Sequence, residues 1–276
     1  MSEVRNIGFV GLGSQGGPMA ERILAAGFPL TVWARRVEAL EPFISAGASA
    51  ATSVAELGGA CDLVGICVVD DAGVAAIVEE LLPVMKAGSC IVVHSTILPD
   101  NCIRFAERCA EKGIRFIDAP VSGGGAGAAA GTLTVMCGGT PDDFAAARPV
   151  LETFGGMIVL LGGVGAGQSA KIVNNALMAA NMGLAHAAAA AGEELGLDRV
   201  ALLDLIKASS GRSFGFEVYA RLPSPQAFAH GAPLLVKDVK LLKATLPGSA
   251  GAEALRSASD SFLLAAIGTE ISENNS

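Results

Sequence analysis

From the N-terminus to about Gly163, short apolar runs alternate with segments of helical periodicity. The runs are Ile7 to Val10, Leu30 to Trp33, Leu63 to Val68, Ser89 to Val93, Ile114 to Asp118, Leu133 to Cys137 and Ile158 to Leu161. Runs apolar at consecutive positions, separated by helices, predict a mostly parallel sheet covered on both faces: an α/β, Rossmann-type doubly wound domain. The rhythm stops at Gly162-Gly163-Val164-Gly165. Beyond it the pattern is helical: an Ala-rich segment to Leu195, then Arg199 to Ala208, Phe214 to Arg221, Val236 to Thr245 and about Glu253 to Ile267. The expected division is therefore residues 1–163 for the sheet domain and 164–276 for an all-α domain, with a polar, frayed tail after Thr269.

The first run leads into Gly11, Gly13, Ser14, Gln15 and Gly16, a helix to Ala26, a stop at Gly27 and the second strand. A strand that turns tightly into a helix, lets backbone approach a pyrophosphate and packs closely leaves no room for Cβ atoms at the three glycines. The helix start then offers free N–H groups and partial positive charge to an anion. This context predicts a dinucleotide site. At the end of the second strand NAD sites hold the ribose with an acid, whereas NADP sites place arginine near the 2′-phosphate. The chain reads Trp33-Ala34-Arg35-Arg36 with no acid before Glu38, so NADP is expected, with NAD possible.

Composition narrows the function classes. The 276 residues are 51% hydrophobic and 17% charged, which points to a well-packed globular protein. A net charge of -8 and no basic cluster longer than Arg35-Arg36 argue against a nucleic-acid surface. Six scattered cysteines without a C-x-x-C pair read as reduced thiols, giving a cytoplasmic expectation; no metal site is expected. The first strand begins too early for a secretory signal. Ile172 to Gly192 carries no charge, but it is built of small residues with Asn174, Asn175, Asn181 and His186 inside it. It is expected as a helix buried within or between subunits, not in a membrane.

Three further constellations carry chemistry. Asp118-Ala119-Pro120-Val121-Ser122-Gly123-Gly124 follows a strand's carboxyl end. Backbone N–H groups there could cradle a carboxylate with the Ser122 hydroxyl; equally, the stretch reads as a flexible Gly-rich loop. Lys171 and Asn175 lie one helical turn apart, so an ammonium and an amide can face one small substrate. A buried lysine whose pKa falls from about 10.4 toward 7 to 8 suits proton transfer, though a lysine near a helix start also reaches solvent readily. Lys237-Asp238 is a weaker candidate, since such pairs are most often surface ion pairs.

On these residues the chain resembles the β-hydroxyacid dehydrogenases along nearly its whole length. GLGSQGGPMA from Gly11 is similar to the family's cofactor turn, DAPVSGG from Asp118 to its substrate motif, GAGQSAKIVNN from Gly165 to its catalytic helix, and Lys237-Asp238-Val239 to its late motif. The resemblance implies a Rossmann domain followed by helices, a small carboxylate-bearing substrate, and a homodimer or homotetramer assembled through the Ala-rich helix. It implies that Lys171 is the general acid/base, that Asn175 orients the substrate, and that Ser122, Gly123 and Gly124 hold its carboxylate. Thr96 and Lys237 match cofactor-contacting residues and Arg35 an arginine of NADPH-using members, while Phe214 and Tyr219 fall where aromatic residues cover the substrate. Gln15, His94 and Arg212 depart from the family pattern, and Arg212 could bind a second carboxylate. An imine reductase or a catalytically silent NADP-binding protein of the same fold is the alternative.

Overall fold

The computed structural model describes residues 6–268, so the first five residues and the tail after Thr269 lie outside the described residues. It divides into two compact units, 1–171 and 172–276.

In the first unit nine strands form one sheet. They are β1 (Ile7–Val10), β2 (Leu30–Trp33), β3 (Ser49–Ala50), β4 (Leu63–Ile66), β5 (Cys90–Val93), β6 (Arg115–Asp118), β7 (Val121–Ser122), β8 (Leu133–Gly138) and β9 (Gly155–Gly162). The order is β3-β2-β1-β4-β5-β6-β8-β7, with β9 also on β8. The first six strands of that order run parallel; β8 is antiparallel to β6 and β7, and β9 is parallel to β8. The mostly parallel α/β sheet read from the apolar runs is thus observed, enlarged by two strands too short to show a pattern, β3 and β7.

Apolar runs without alternation arise because both faces of the sheet are covered. Every residue of β1, β4 and β5 is buried. Along β1, Ile7 and Phe9 join one core with Met19, Ile23, Val92 and Phe154, while Val10 joins the other with Val64, Ile66, Val78 and Ile91. Seven helices cover the sheet: α1 (Gly16–Ala25), α2 (Glu41–Ser45), α3 (Val54–Ala60), α4 (Asp71–Leu81), α5 (Pro99–Glu111), α6 (Gly124–Ala130) and α7 (Pro141–Leu151). Side-chain caps set several starts: Ser53, Asp70 and Thr140 accept from the N–H groups of Glu56, Gly73 and Asp143. Strand order reverses at β1, which lies between β2 and β4, so the crevice of an open α/β sheet falls at its carboxyl end.

The 29-residue helix α8 (Ala166–Glu194) starts in the first unit and continues into the second. The division falls inside α8, at Lys171, later than the expected boundary after Gly163, because hydrogen bonds hold the first turn of α8 to the sheet (below). The second unit adds α9 (Arg199–Lys207), α10 (Phe214–Ala220), α11 (Ala232–Thr245) and α12 (Ala250–Ile267). Ile172, Ala176, Ala179, Met182, Ala185 and Ala189 form one stripe of α8 packed with Phe216, Tyr219, Leu235, Leu242 and Phe262. Small residues are required there: a Cβ on Gly183 would lie 1.8 Å from the Ala258 carbonyl oxygen of α12. That explains the Ala-rich composition by helix packing, and among the described residues no helix is long and apolar enough to cross a membrane.

Candidate active site

The turn after β1 is built by two glycines and left open by a third. Gly11 has φ +98°, and a Cβ on it would lie 2.1 Å from the Cys67 carbonyl oxygen; a Cβ on Gly16 would lie 2.0 Å from the Gly11 carbonyl oxygen. A Cβ on Gly13 would meet nothing within 4 Å. Gly13 therefore faces open space, as a position where the backbone approaches a pyrophosphate requires. Ser14 beside it is exposed, Gln15 is half-buried, and no side chain caps α1. Open space, a helix start without a side-chain cap and backbone free to approach suit a pyrophosphate, so these residues fit a dinucleotide. Arg35 and Arg36 are exposed just past β2.

The Ser122 segment is ordered secondary structure, which removes the flexible-loop alternative. Ser122 pairs with Thr134 as the end of β7; Gly123 (φ +132°) and Gly124 (φ +65°) then turn the chain into α6. Only glycine adopts these left-handed angles without strain. The Gly/Ala bias that follows has a packing cause. Helix α6 lies on the cofactor turn so closely that a Cβ on Gly125 would be 2.5 Å from the Ser14 carbonyl oxygen.

Lys171 lies in the first turns of α8 and is 8% exposed. The start of α8 is fastened to the sheet by Asp118, the last residue of β6, which is fully buried. Its Oδ1 accepts from the Gly165 N–H (2.7 Å) and its Oδ2 from the Gln168 N–H (2.8 Å). Burial pushes the Asp118 carboxyl up to about 6, and hydrogen bonds from the backbone of Gly165, Gln168, Asp118 itself and Gly167 only partly offset it. Gln168, also fully buried, accepts from the Ile97 N–H (3.1 Å) and donates to the Ser95 carbonyl (2.8 Å). These two peptide groups flank Thr96, which is half-buried. Ser95 Oγ in turn accepts from the Val68 N–H (2.8 Å) after β4.

His94, which departs from the family pattern, is a core residue. It stacks on Phe9, meets the edge of Phe154, and its Nδ1 lies 2.8 Å from the Ala119 carbonyl oxygen. Burial lowers its pKa to about 4, so at neutral pH the ring is neutral and Nδ1 carries the proton that Ala119 accepts.

Within the second unit, Asn175 donates to Asp238 Oδ2 (2.6 Å), and Lys237 Nζ lies 3.3 Å from Asp238 Oδ1. Asp238 is 3% exposed, so the pair expected at the surface is centred on a buried carboxylate. Arg212 and Phe214 are exposed. Tyr219 is not: it is 1% exposed, its ring packs edge-on against Phe262, and its hydroxyl accepts from Arg199 (2.9 Å) and lies 3.2 Å from His186 Nδ1. The expected substrate contact of Tyr219 is therefore corrected to a core role, since α10 turns this position onto α8 and α12. Asp118, Gln168 and Asp238 have roles that sequence reading did not assign. The available signal was a lone acid closing an apolar strand and a lone Gln in a stretch of small residues.

Comparison with known proteins places this geometry. The family model for the NAD binding domain of 6-phosphogluconate dehydrogenase matches residues 6–163. The family model described as NAD-binding of NADP-dependent 3-hydroxyisobutyrate dehydrogenase matches residues 165–267. The chain is 35% identical over 267 residues to the NAD-dependent L-serine dehydrogenase of Pseudomonas aeruginosa, covering 90% of this chain and 87% of that one. Among solved structures, the 3-hydroxyisobutyrate dehydrogenase of Mycobacterium tuberculosis with L-serine superposes with TM-score 0.84 at 28% identity, covering 94% of this chain and 92% of that one. Psf3 in complex with NADP+ and 2-OPP superposes with TM-score 0.79 at 28% identity, covering 93% and 92%.

Proposed function

The chain belongs to the β-hydroxyacid dehydrogenase family of NAD(P)-dependent enzymes, and on that premise we propose that it moves a hydride between NADP(H) and a small β-hydroxy acid or semialdehyde carboxylate. The observation that carries this reading is a buried lysine on a helix start tied to the carboxyl ends of β5 and β6. Gly11, Gly13, Ser14, Gln15, Gly16 and Thr96 would hold the dinucleotide, with Lys237 as a further contact. The nicotinamide, when bound, supplies or accepts the hydride. Ser122 and the backbone N–H groups of Gly123 and Gly124 bind the substrate carboxylate, and Asn175 orients the substrate. During oxidation Lys171 Nζ takes the hydroxyl proton as the carbinol carbon gives up its hydride; in reduction it returns that proton to the carbonyl oxygen.

Arg35 and Arg36 support NADP over NAD, because both residues are exposed beyond β2 and no acid lies between Trp33 and Glu38. The named Pseudomonas relative uses NAD, so the preference belongs to this local sequence. Arg212 and Phe214, exposed on one stretch, would tune the choice of acid. Val173, Leu177 and Leu184, exposed on α8, offer apolar surface for a homodimer or homotetramer, and six free cysteines suit the cytoplasm.

The test is absorbance at 340 nm. Glyoxylate, succinic, tartronate and methylmalonate semialdehydes are offered with NADPH or NADH, and 3-hydroxyisobutyrate, serine and threonate with the oxidised cofactors. Turnover of a carboxylate with a lower KM for NADPH than NADH is expected, and Arg35→Ala should raise the NADPH KM about tenfold while leaving NADH unchanged. Silence across the panel despite NADPH binding would overturn the substrate class.

A further inference from the structure

Two fully buried polar side chains, Asp118 and Gln168, join the loops at the carboxyl ends of three neighbouring strands to the helix that carries Lys171. Each is committed to two backbone partners. Asp118 holds the N–H groups of Gly165 and Gln168; Gln168 holds the Ile97 N–H and the Ser95 carbonyl, on either side of Thr96. Ser95 extends the chain of bonds to Val68 after β4. Gln168 is one turn before Lys171, and Asp118 precedes Ser122 across Pro120.

We propose that Asp118 and Gln168 are positioning residues that set Lys171, Thr96 and the Ser122 turn in one fixed register for hydride and proton transfer. The inference rests on the dehydrogenase reading above and names residues to which that reading assigns no part.

The chemistry of the two side chains supports it. A carboxylate is an acceptor at both oxygens, so it satisfies two N–H donors; an asparagine of the same shape would turn its amide N–H groups toward one of them. The surrounding backbone packs tightly on this carboxylate. A Cβ on Gly138 would lie 2.5 Å from Asp118 Oδ1, and one on Gly167 would lie 2.8 Å from Oδ2. Helix capping alone is met elsewhere in this chain by exposed Thr or Asp side chains, as at Asp70, Thr140 and Asp198. At α8 the acceptor is instead a fully buried carboxylate, which burial makes unfavourable. Gln168 adds the complementary feature. Its amide holds the loop on the cofactor side with one end and, through its own N–H, the Asp118 anchor with the other. A displacement of about 1 Å between catalytic groups can cost on the order of a hundredfold in rate, so a rigid link has a kinetic effect without touching substrate.

The test compares Asp118→Asn and Gln168→Met with the unsubstituted protein. Folding is followed by circular dichroism, NADPH dissociation constants by fluorescence, kcat and KM on the best substrate of the panel, and labelling of Lys171 by an amine-reactive ester in the cofactor-free protein by mass spectrometry. Asp118→Asn should lower kcat about ten- to a hundredfold. Its NADPH dissociation constant should stay within about threefold of the parent, and Lys171 should label at a changed rate while other lysines do not. Gln168→Met, similar in volume and unable to bridge, should lower kcat and weaken NADPH together, because it frees the peptides around Thr96. Folded variants with parental kcat and parental Lys171 labelling would overturn the proposal, and if Asp118→Asn does not fold, Gln168→Met decides it alone. Absence of turnover in the parent protein would count against the dehydrogenase reading, while Lys171 labelling and NADPH affinity would still decide the positioning role.

Discussion

Each unit of the molecule buries an aspartate, and the two are held in opposite ways. Asp118 in the sheet unit is bound by backbone N–H groups of a helix start. Asp238 in the helical unit is bound by the Asn175 amide and lies beside the Lys237 ammonium. Backbone donors have no rotamers, so a group they hold is placed by the fold itself. Side-chain donors can rotate and re-pair. The comparison teaches that the lysine end of α8 is fixed by the sheet, whereas Asn175 is held by an adjustable pair.

The largest expected effect lies at the group that this anchoring serves. Lys171→Ala should lower kcat at least about a hundredfold with NADPH affinity little changed, measured by steady-state kinetics and fluorescence titration. Near-parental turnover would remove Lys171 from the chemistry and leave the rigid anchoring of α8 without a catalytic purpose.

Acid stability tests the desolvation of the Asp118 carboxyl. Asp118 titrates near 6 in the fold instead of 3.8, so acidification from about 6 to 3.8 adds stability, about 3 kcal/mol in all. His94 titrates near 4 instead of 6.5, so acidification from 6.5 to 4 removes a similar amount, also about 3 kcal/mol. In the parent the two contributions nearly cancel between about 4 and 6. Urea unfolding at several pH values should therefore show His94→Phe gaining stability toward pH 4 relative to the parent, and Asp118→Asn losing it. Superimposable curves for parent and His94→Phe would mean that His94 is less desolvated than the packing indicates, and superimposable curves for parent and Asp118→Asn would say the same of Asp118.

The smallest effect is expected at the adjustable pair. Asp238→Asn can rotate its remaining oxygen toward Asn175, so kcat/KM should fall by no more than about tenfold, less than for Asp118→Asn. A loss equal to that of Asp118→Asn would break the distinction between backbone-held and side-chain-held carboxylates.

Much of this was legible in the chain. Four-residue apolar runs such as Ile7–Val10 marked the interior strands, because strands covered on both faces do not alternate. The turn glycines and the NAD(P)-binding fold followed from backbone requirements within a few residues, as did the pairing of Lys171 and Asn175 on one helix. Arg35-Arg36 suggested a phosphate from its position after the second strand.

Tertiary structure decided the rest. The stretch from Asp118 to Gly124 read equally as a flexible loop, and is instead strand β7 and the turn into α6, whose missing side chains admit the Ser14 carbonyl of another segment. Tyr219 read as a substrate contact, and is core because α10 faces it onto Phe262 and His186. Asp118 acquired its role from Gly165 and Gln168, 47 and 50 residues away along the chain. Local sequence determines what depends on neighbouring dihedrals and periodicity: strands, helices, turns and the motifs they carry. Whether a polar side chain is an anchor, a core group or a ligand contact depends on which distant segment fills the space beside it, and only the folded chain decides that.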